Sequence, residues 1–94
     1  MTERRRYPRS TRRLQAVQHL GNQRLPRTVS RVGPGGFFVE APGTAVQPRE
    51  LVVMEFAEGD APFRVTGEVA YLDEQGFGVR ITRADWERLS RLLA

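Results

Sequence analysis

Phe63-Arg64-Val65-Thr66-Gly67-Glu68-Val69-Ala70-Tyr71, then Asp73-Glu74-Gln75-Gly76, then Phe77-Gly78-Val79-Arg80-Ile81-Thr82, is the stretch that decides the fold. Side chains alternate across an extended chain. Phe63, Val65, Gly67, Val69 and Tyr71 are therefore expected on one face, and Arg64, Thr66, Glu68 and Ala70 on the other. Phe77, Val79 and Ile81 alternate in the same way with Gly78, Arg80 and Thr82, and the polar segment between the two runs turns the chain. After Thr82 the period changes from two to 3.6. Trp86, Leu89, Leu92 and Leu93 recur at helical spacing, Thr82 stands at the N-cap, and Asp85 completes a variant capping box. Such a stripe reads as core packed onto a sheet.

Working outward, Leu51-Val52-Val53-Met54-Glu55-Phe56 is a nearly continuous apolar run and is expected to be the most buried strand. Glu58 to Pro62 is a turn. Upstream, Leu14–Leu20 ends at Gly21-Asn22, and Arg24–Val32 follows, with Pro26 pointing to an edge strand or a late start. Gly33-Pro34-Gly35-Gly36 turns the chain into Phe37-Phe38-Val39, which stops at Pro42-Gly43. Six short strands with regular turns predict an all-β, six-stranded antiparallel β-barrel, closed or partly closed, with a C-terminal α-helix. The expected core is Phe37 or Phe38, Val53, Phe56, Val65, Val69, Val79 and Trp86. Residues 1–13 read as a flexible Arg-rich N-terminal arm and residues 14–94 as a single barrel domain.

The 94 residues suffice for one domain with a modest core. There is no cysteine, so disulfides and zinc-thiolate sites are excluded, and the one histidine, His19, cannot make a His-rich metal cluster. No apolar run is long enough for a membrane span, and the basic N-terminal stretch lacks the apolar region of a signal peptide, so a cytoplasmic protein is expected. All fifteen basic residues are arginine. Residues 1–31 hold nine of them against one acid, Glu3, whereas residues 32–94 hold six against ten acids. That polarisation points to an anionic partner for the N-terminal third.

Catalysis finds little support. No Ser/His/Asp set has a recognisable spacing, and His19 has no evident acidic partner, so it reads as structural or exposed. Glu55, Glu58, Asp60, Asp73 and Glu74 fall mainly at strand ends and turns, where solvated carboxylates are the simpler reading. Gly33-Pro34-Gly35-Gly36 precedes a strand and lacks the Gly-Lys-Ser/Thr ending of a P-loop. No enzyme, metal or cofactor is expected.

Two segments stand above this background: Glu3-Arg4-Arg5-Arg6-Tyr7-Pro8-Arg9, and Val29-Ser30-Arg31-Val32-Gly33-Pro34-Gly35-Gly36-Phe37-Phe38-Val39-Glu40. With Gly76-Phe77-Gly78-Val79-Arg80-Ile81 and the helix from Arg83, their order resembles the PilZ family, bacterial receptors for cyclic di-GMP. The resemblance runs from Glu3 to Leu93. It implies a signalling module that passes ligand state to a protein partner.

The family's RxxxR motif falls on Arg5 and Arg9, with Arg4 and Arg6 beside them. Guanidinium forks suit phosphates and the O6/N7 edge of guanine. The family's [D/N]xSxxG motif, anchored on Gly35 to Val39, places its acid on Arg31, its serine on Gly33 and its glycine on Gly36. A second register, Thr28 to Gly33, keeps Ser30 and Gly33 but needs Pro34 to Gly36 as an insertion. In the preferred register Arg31 offers donors where the family offers an acceptor. The alternative is therefore a degenerate PilZ-like adaptor that binds no cyclic di-GMP and acts by protein contacts. A nucleic-acid barrel is disfavoured, because Tyr7 is the lone aromatic among the N-terminal arginines. The oligomeric state, a homodimer included, is left open.

Overall fold

Alternation and turns build the architecture directly. The computed structural model describes residues 12–93. Six strands run β1 Leu14–Leu20, β2 Gln23–Gly33, β3 Gly36–Glu40, β4 Leu51–Glu58, β5 Ala61–Asp73 and β6 Gly76–Arg80. They form a closed barrel in the order β1-β2-β3-β6-β5-β4, with every neighbouring pair antiparallel. β4 closes it onto β1 through Val17–Glu55, Gln18–Met54 and His19–Val53. Helix α1, Arg83–Leu89, follows and tightens into a 3-10 turn, Ser90–Leu93. Thr82 caps it as expected, its Oγ1 accepting from the Asp85 N–H at 3.2 Å.

The inward set is Val29 and Val32 of β2, Phe37 and Val39 of β3, Val52, Met54 and Phe56 of β4, Phe63, Val65 and Val69 of β5, and Phe77 and Val79 of β6. Phe56 sits at the middle of a ring cluster, edge-on to Phe37 at 5.6 Å and stacked with Phe63 at 5.8 Å. Leu89 of α1 is fully buried in the same core, and Trp86, Leu92 and Leu93 pack against it partly exposed.

Several expectations change. β4, expected to be the most buried strand with Val53 in the core, alternates instead: Val52, Met54 and Phe56 point inward, Val53 is half-buried, and Leu51 is 69% exposed. A barrel strand has one core face, so a continuous apolar run still splits by parity. Trp86 is also half-buried, and Leu89 carries the centre of the helix contact. Tyr71 does not share the face of Phe63, Val65 and Val69. A bulge at Ala70 shifts the register, from Val69–Val79 to Tyr71–Gly78, and turns Tyr71 to the outer face. Pro26 lies where β2 pairs with β1 only, since β3 pairing begins at Thr28, so the edge-strand reading holds for that half of the strand. Arg12 and Arg13 apart, the N-terminal arm lies outside the described residues.

Candidate functional site

The features that sequence reading singled out meet on the outer face of β2, β3, β6 and β5. Ser30 of β2 pairs with Phe38 of β3, Phe38 with Gly78 of β6, and Gly78 with Tyr71 of β5, giving one transverse row. Parity puts Phe37 and Val39 in the core and leaves Phe38 and Glu40 outside.

Two bulges aim side chains at this row. In β2 the pairing steps from Ser30–Phe38 to Gly33–Gly36, so Arg31 and Val32 together face Phe37. Arg31 takes a positive φ of 52°, a conformation that is strained for a residue with a Cβ. Its guanidinium carbon comes to rest 4.6 Å from the centroid of Phe38. In β5 the bulge at Ala70 presents Tyr71, whose ring leans over Gly78 and stacks on Phe38 at 6.2 Å with a 28° interplanar angle. The close approach needs glycine at 78, because a Cβ there would lie 2.2 Å from Tyr71 Cε1. Phe38 is consequently 2% exposed although it points away from the barrel core, while Tyr71 remains 45% exposed.

The chain enters the barrel beside this row. Leu14 pairs with Val29 and Val29 with Val39. Arg13 Nε donates to Glu40 Oε2 at 2.9 Å, on the outer face of β3 two residues from Phe38. With Arg13 69% exposed, this ion pair contributes little to stability.

Arg31 is exposed at the rim of the row. Gly33 is buried, pairs with Gly36 across the two-residue turn, and has no positive φ. Gly36 has φ +151°, and a Cβ on it would strike the Val79 carbonyl oxygen at 1.8 Å. Gly36 therefore lets β3 start flush against β6. Arg4, Arg5 and Arg9 lie outside the described residues.

A second polar cluster occupies the outer face of β1 and β4. His19 Nε2 donates to Glu55 Oε1 at 2.8 Å, Arg24 Nη2 lies 3.3 Å from Glu55 Oε2, and Arg64 Nε lies 3.9 Å from Oε1. The hydrogen bond from Arg24, then that from His19, hold the Glu55 carboxyl below its ordinary value. His19 thus has an acidic partner, and Glu55 lies within β4, away from any turn. Sequence reading missed both because partners 36 residues apart meet only through barrel closure. Among the described residues no group of His, Cys, Asp and Glu could hold a metal ion. No described helix is long and apolar enough to cross a membrane.

Phe38, Tyr71 and Gly78 belong to this candidate site, and sequence reading did not place them in it. Their signal was the pair Phe37-Phe38, where alternation permits one core residue and leaves the other needing a cover. The family model of the PilZ domain matches residues 3–94. No curated protein matches the chain.

Proposed function

Because the chain belongs to the PilZ family, whose members are non-catalytic binding domains and typically receptors for cyclic di-GMP, we propose that it is a signalling module that binds cyclic di-GMP on the outer face of β2 and β3 and passes the ligand state to a protein partner. The observation that carries this reading is the Arg13–Glu40 pair, which puts Arg13, near the start of the described residues, on the face bearing Arg31, Phe38 and Tyr71. Arg9 is four residues upstream of Arg13, and Arg5 eight. Chain length alone lets them reach about 14 and 28 Å from that anchor. Phosphate-binding guanidinium groups and a flat aromatic surface can therefore serve one ligand.

Arg31 favours a second reading. Its guanidinium has no acceptor for guanine N1–H and N2–H₂, and its stacking on Phe38 uses the surface a base would need. In that reading the chain is an adaptor that binds protein alone. Calorimetry on the full chain with cyclic di-GMP, repeated with single-stranded DNA, separates the cases. Heat with the dinucleotide and none with DNA supports the first reading. No heat with either leaves the adaptor, and preferential heat with DNA overturns both.

A further inference from the structure

We propose that the Phe38–Tyr71 shelf is a stacking subsite for a flat nucleobase and that the Arg31 guanidinium is its resident cover, which the base must displace. This deepens the reading given above and rests on it for the class of ligand.

Three observations converge. The shelf already holds a flat π-binding group, since Arg31 lies 4.6 Å over Phe38. Holding it there requires φ +52° at a residue with a Cβ, and backbone strain of this kind gathers at ligand clamps and switches. The shelf is also built for a ring. Gly78 leaves the space that Tyr71 fills, and Tyr71 keeps 45% of its surface open beside a Phe38 that is almost wholly covered. Lifting Arg31 would uncover the Phe38 face on which it lies, next to the part-open Tyr71 ring. Arg13, which meets Glu40 on the same face, brings a guanidinium of the kind a nucleotide phosphate needs close to the shelf.

A cover of this kind lowers apparent affinity, because only the uncovered fraction is competent to bind. Exposed cation–π contacts hold about 0.5–1 kcal/mol, so removing the cover should tighten base binding about two- to fivefold. Loss of a positive charge works in the opposite direction for an anionic ligand. The comparison is therefore made at about 0.5 M salt, where the Debye length is roughly 4 Å.

The experiment is an NMR titration of the full chain with cyclic di-GMP and, separately, with guanosine 5′-monophosphate. Wild type, Arg31→Ala, Tyr71→Leu and Arg31→Ala/Tyr71→Leu are compared. For both probes Arg31→Ala should bind about two- to fivefold more tightly than wild type. Adding Tyr71→Leu should weaken binding about tenfold, the scale of one base–aromatic stack. Shifts should centre on Phe38, Gly78 and Tyr71. Weaker binding by Arg31→Ala, or no effect of Tyr71→Leu, overturns the subsite even where cyclic di-GMP binds and the proposed function stands. Binding of the monophosphate to Arg31→Ala on the shelf, with no binding of cyclic di-GMP by wild type or Arg31→Ala, upholds the subsite and overturns the proposed function. No binding of either probe by any variant overturns both.

Discussion

Arg31 stacks on Phe38 with its guanidinium carbon 4.6 Å from the ring centroid, and it does so from a backbone conformation that a residue with a Cβ adopts at a cost. The two substitutions that remove the side chain should therefore differ. Arg31→Ala loses the cation–π contact and keeps the strain, whereas Arg31→Gly loses the contact and relieves it. At an ordinary strand position glycine is the worse residue by about 0.5–1 kcal/mol. Here Arg31→Gly should be the more stable variant by about 1 kcal/mol, read from urea midpoints at constant m-value. The usual order, alanine above glycine, would mean that position 31 is not strained in solution.

Tyr71 and Gly78 should behave as one unit. Gly78→Ala places a Cβ where the Tyr71 ring lies and must expel it from the row. In a Tyr71→Ala background the ring atoms that this Cβ would strike are gone. A double-mutant cycle should give a coupling of about 1–3 kcal/mol, in the upper part of the roughly 0.5–3 kcal/mol range for residues in direct contact. Additive effects within about 0.5 kcal/mol would show that Tyr71 does not lie over Gly78.

Leu89 and Trp86 test the helix contact. Leu89 is fully buried and Trp86 is half-buried against the same core. Leu89→Ala should cost about 2–5 kcal/mol by cavity formation. Trp86→Ala should cost less, about 1.5–2.5 kcal/mol, because a half-exposed ring gives up only part of its transfer free energy. Chemical denaturation of both variants gives the order directly, and a larger loss for Trp86→Ala would place the indole, not Leu89, at the centre of the helix–barrel contact.

Glu55 gives the domain an acid-side dependence. Its carboxyl is held below the ordinary value by Arg24 and His19, with Arg64 also facing it. A depressed pKa in the folded state stabilises the protein above the unfolded-state value, about 4.3, and that contribution disappears as pH falls through the lower folded value. Glu55→Gln should therefore be less stable than wild type at neutral pH, and the gap should close on acidification below about pH 4. A gap that is independent of pH from 7 to 3 would show that the carboxylate charge contributes nothing.

Much of the barrel was legible because period-2 alternation and Gly/Pro turns are local signals. All six strands, the hairpin turns and the Thr82-capped helix fall where those signals put them. The errors arose where local pattern and three-dimensional context part. The bulge at Ala70 is marked by no glycine or proline, so alternation alone puts Tyr71 on the face of Phe63, Val65 and Val69. Val53 is apolar yet outward, because parity overrides composition in a strand with one core face. The site was legible in part. Arg31, Gly33 and Gly36 stood out through their motif, but the shelf of Phe38 and Tyr71 joins strands 33 residues apart in sequence and depends on two bulges that nothing local announces.

The proposed function is tested most directly by the affinity of the full chain for cyclic di-GMP, compared between wild type and the Arg5→Ala/Arg9→Ala double variant at about 0.1 and 0.5 M salt. Charge-assisted hydrogen bonds from each arginine are worth about 1.5–3 kcal/mol, so either single substitution should weaken binding about 10- to 150-fold. Arg31 offers donors where guanine needs acceptors, so wild-type binding should be weak and should fall steeply with salt, and Arg31→Asp should tighten it and flatten the salt dependence. Salt-sensitive binding that is lost in the double variant at unchanged melting temperature is the expected result. Equal binding by wild type and the double variant, or no binding by wild type at either salt concentration, would contradict it.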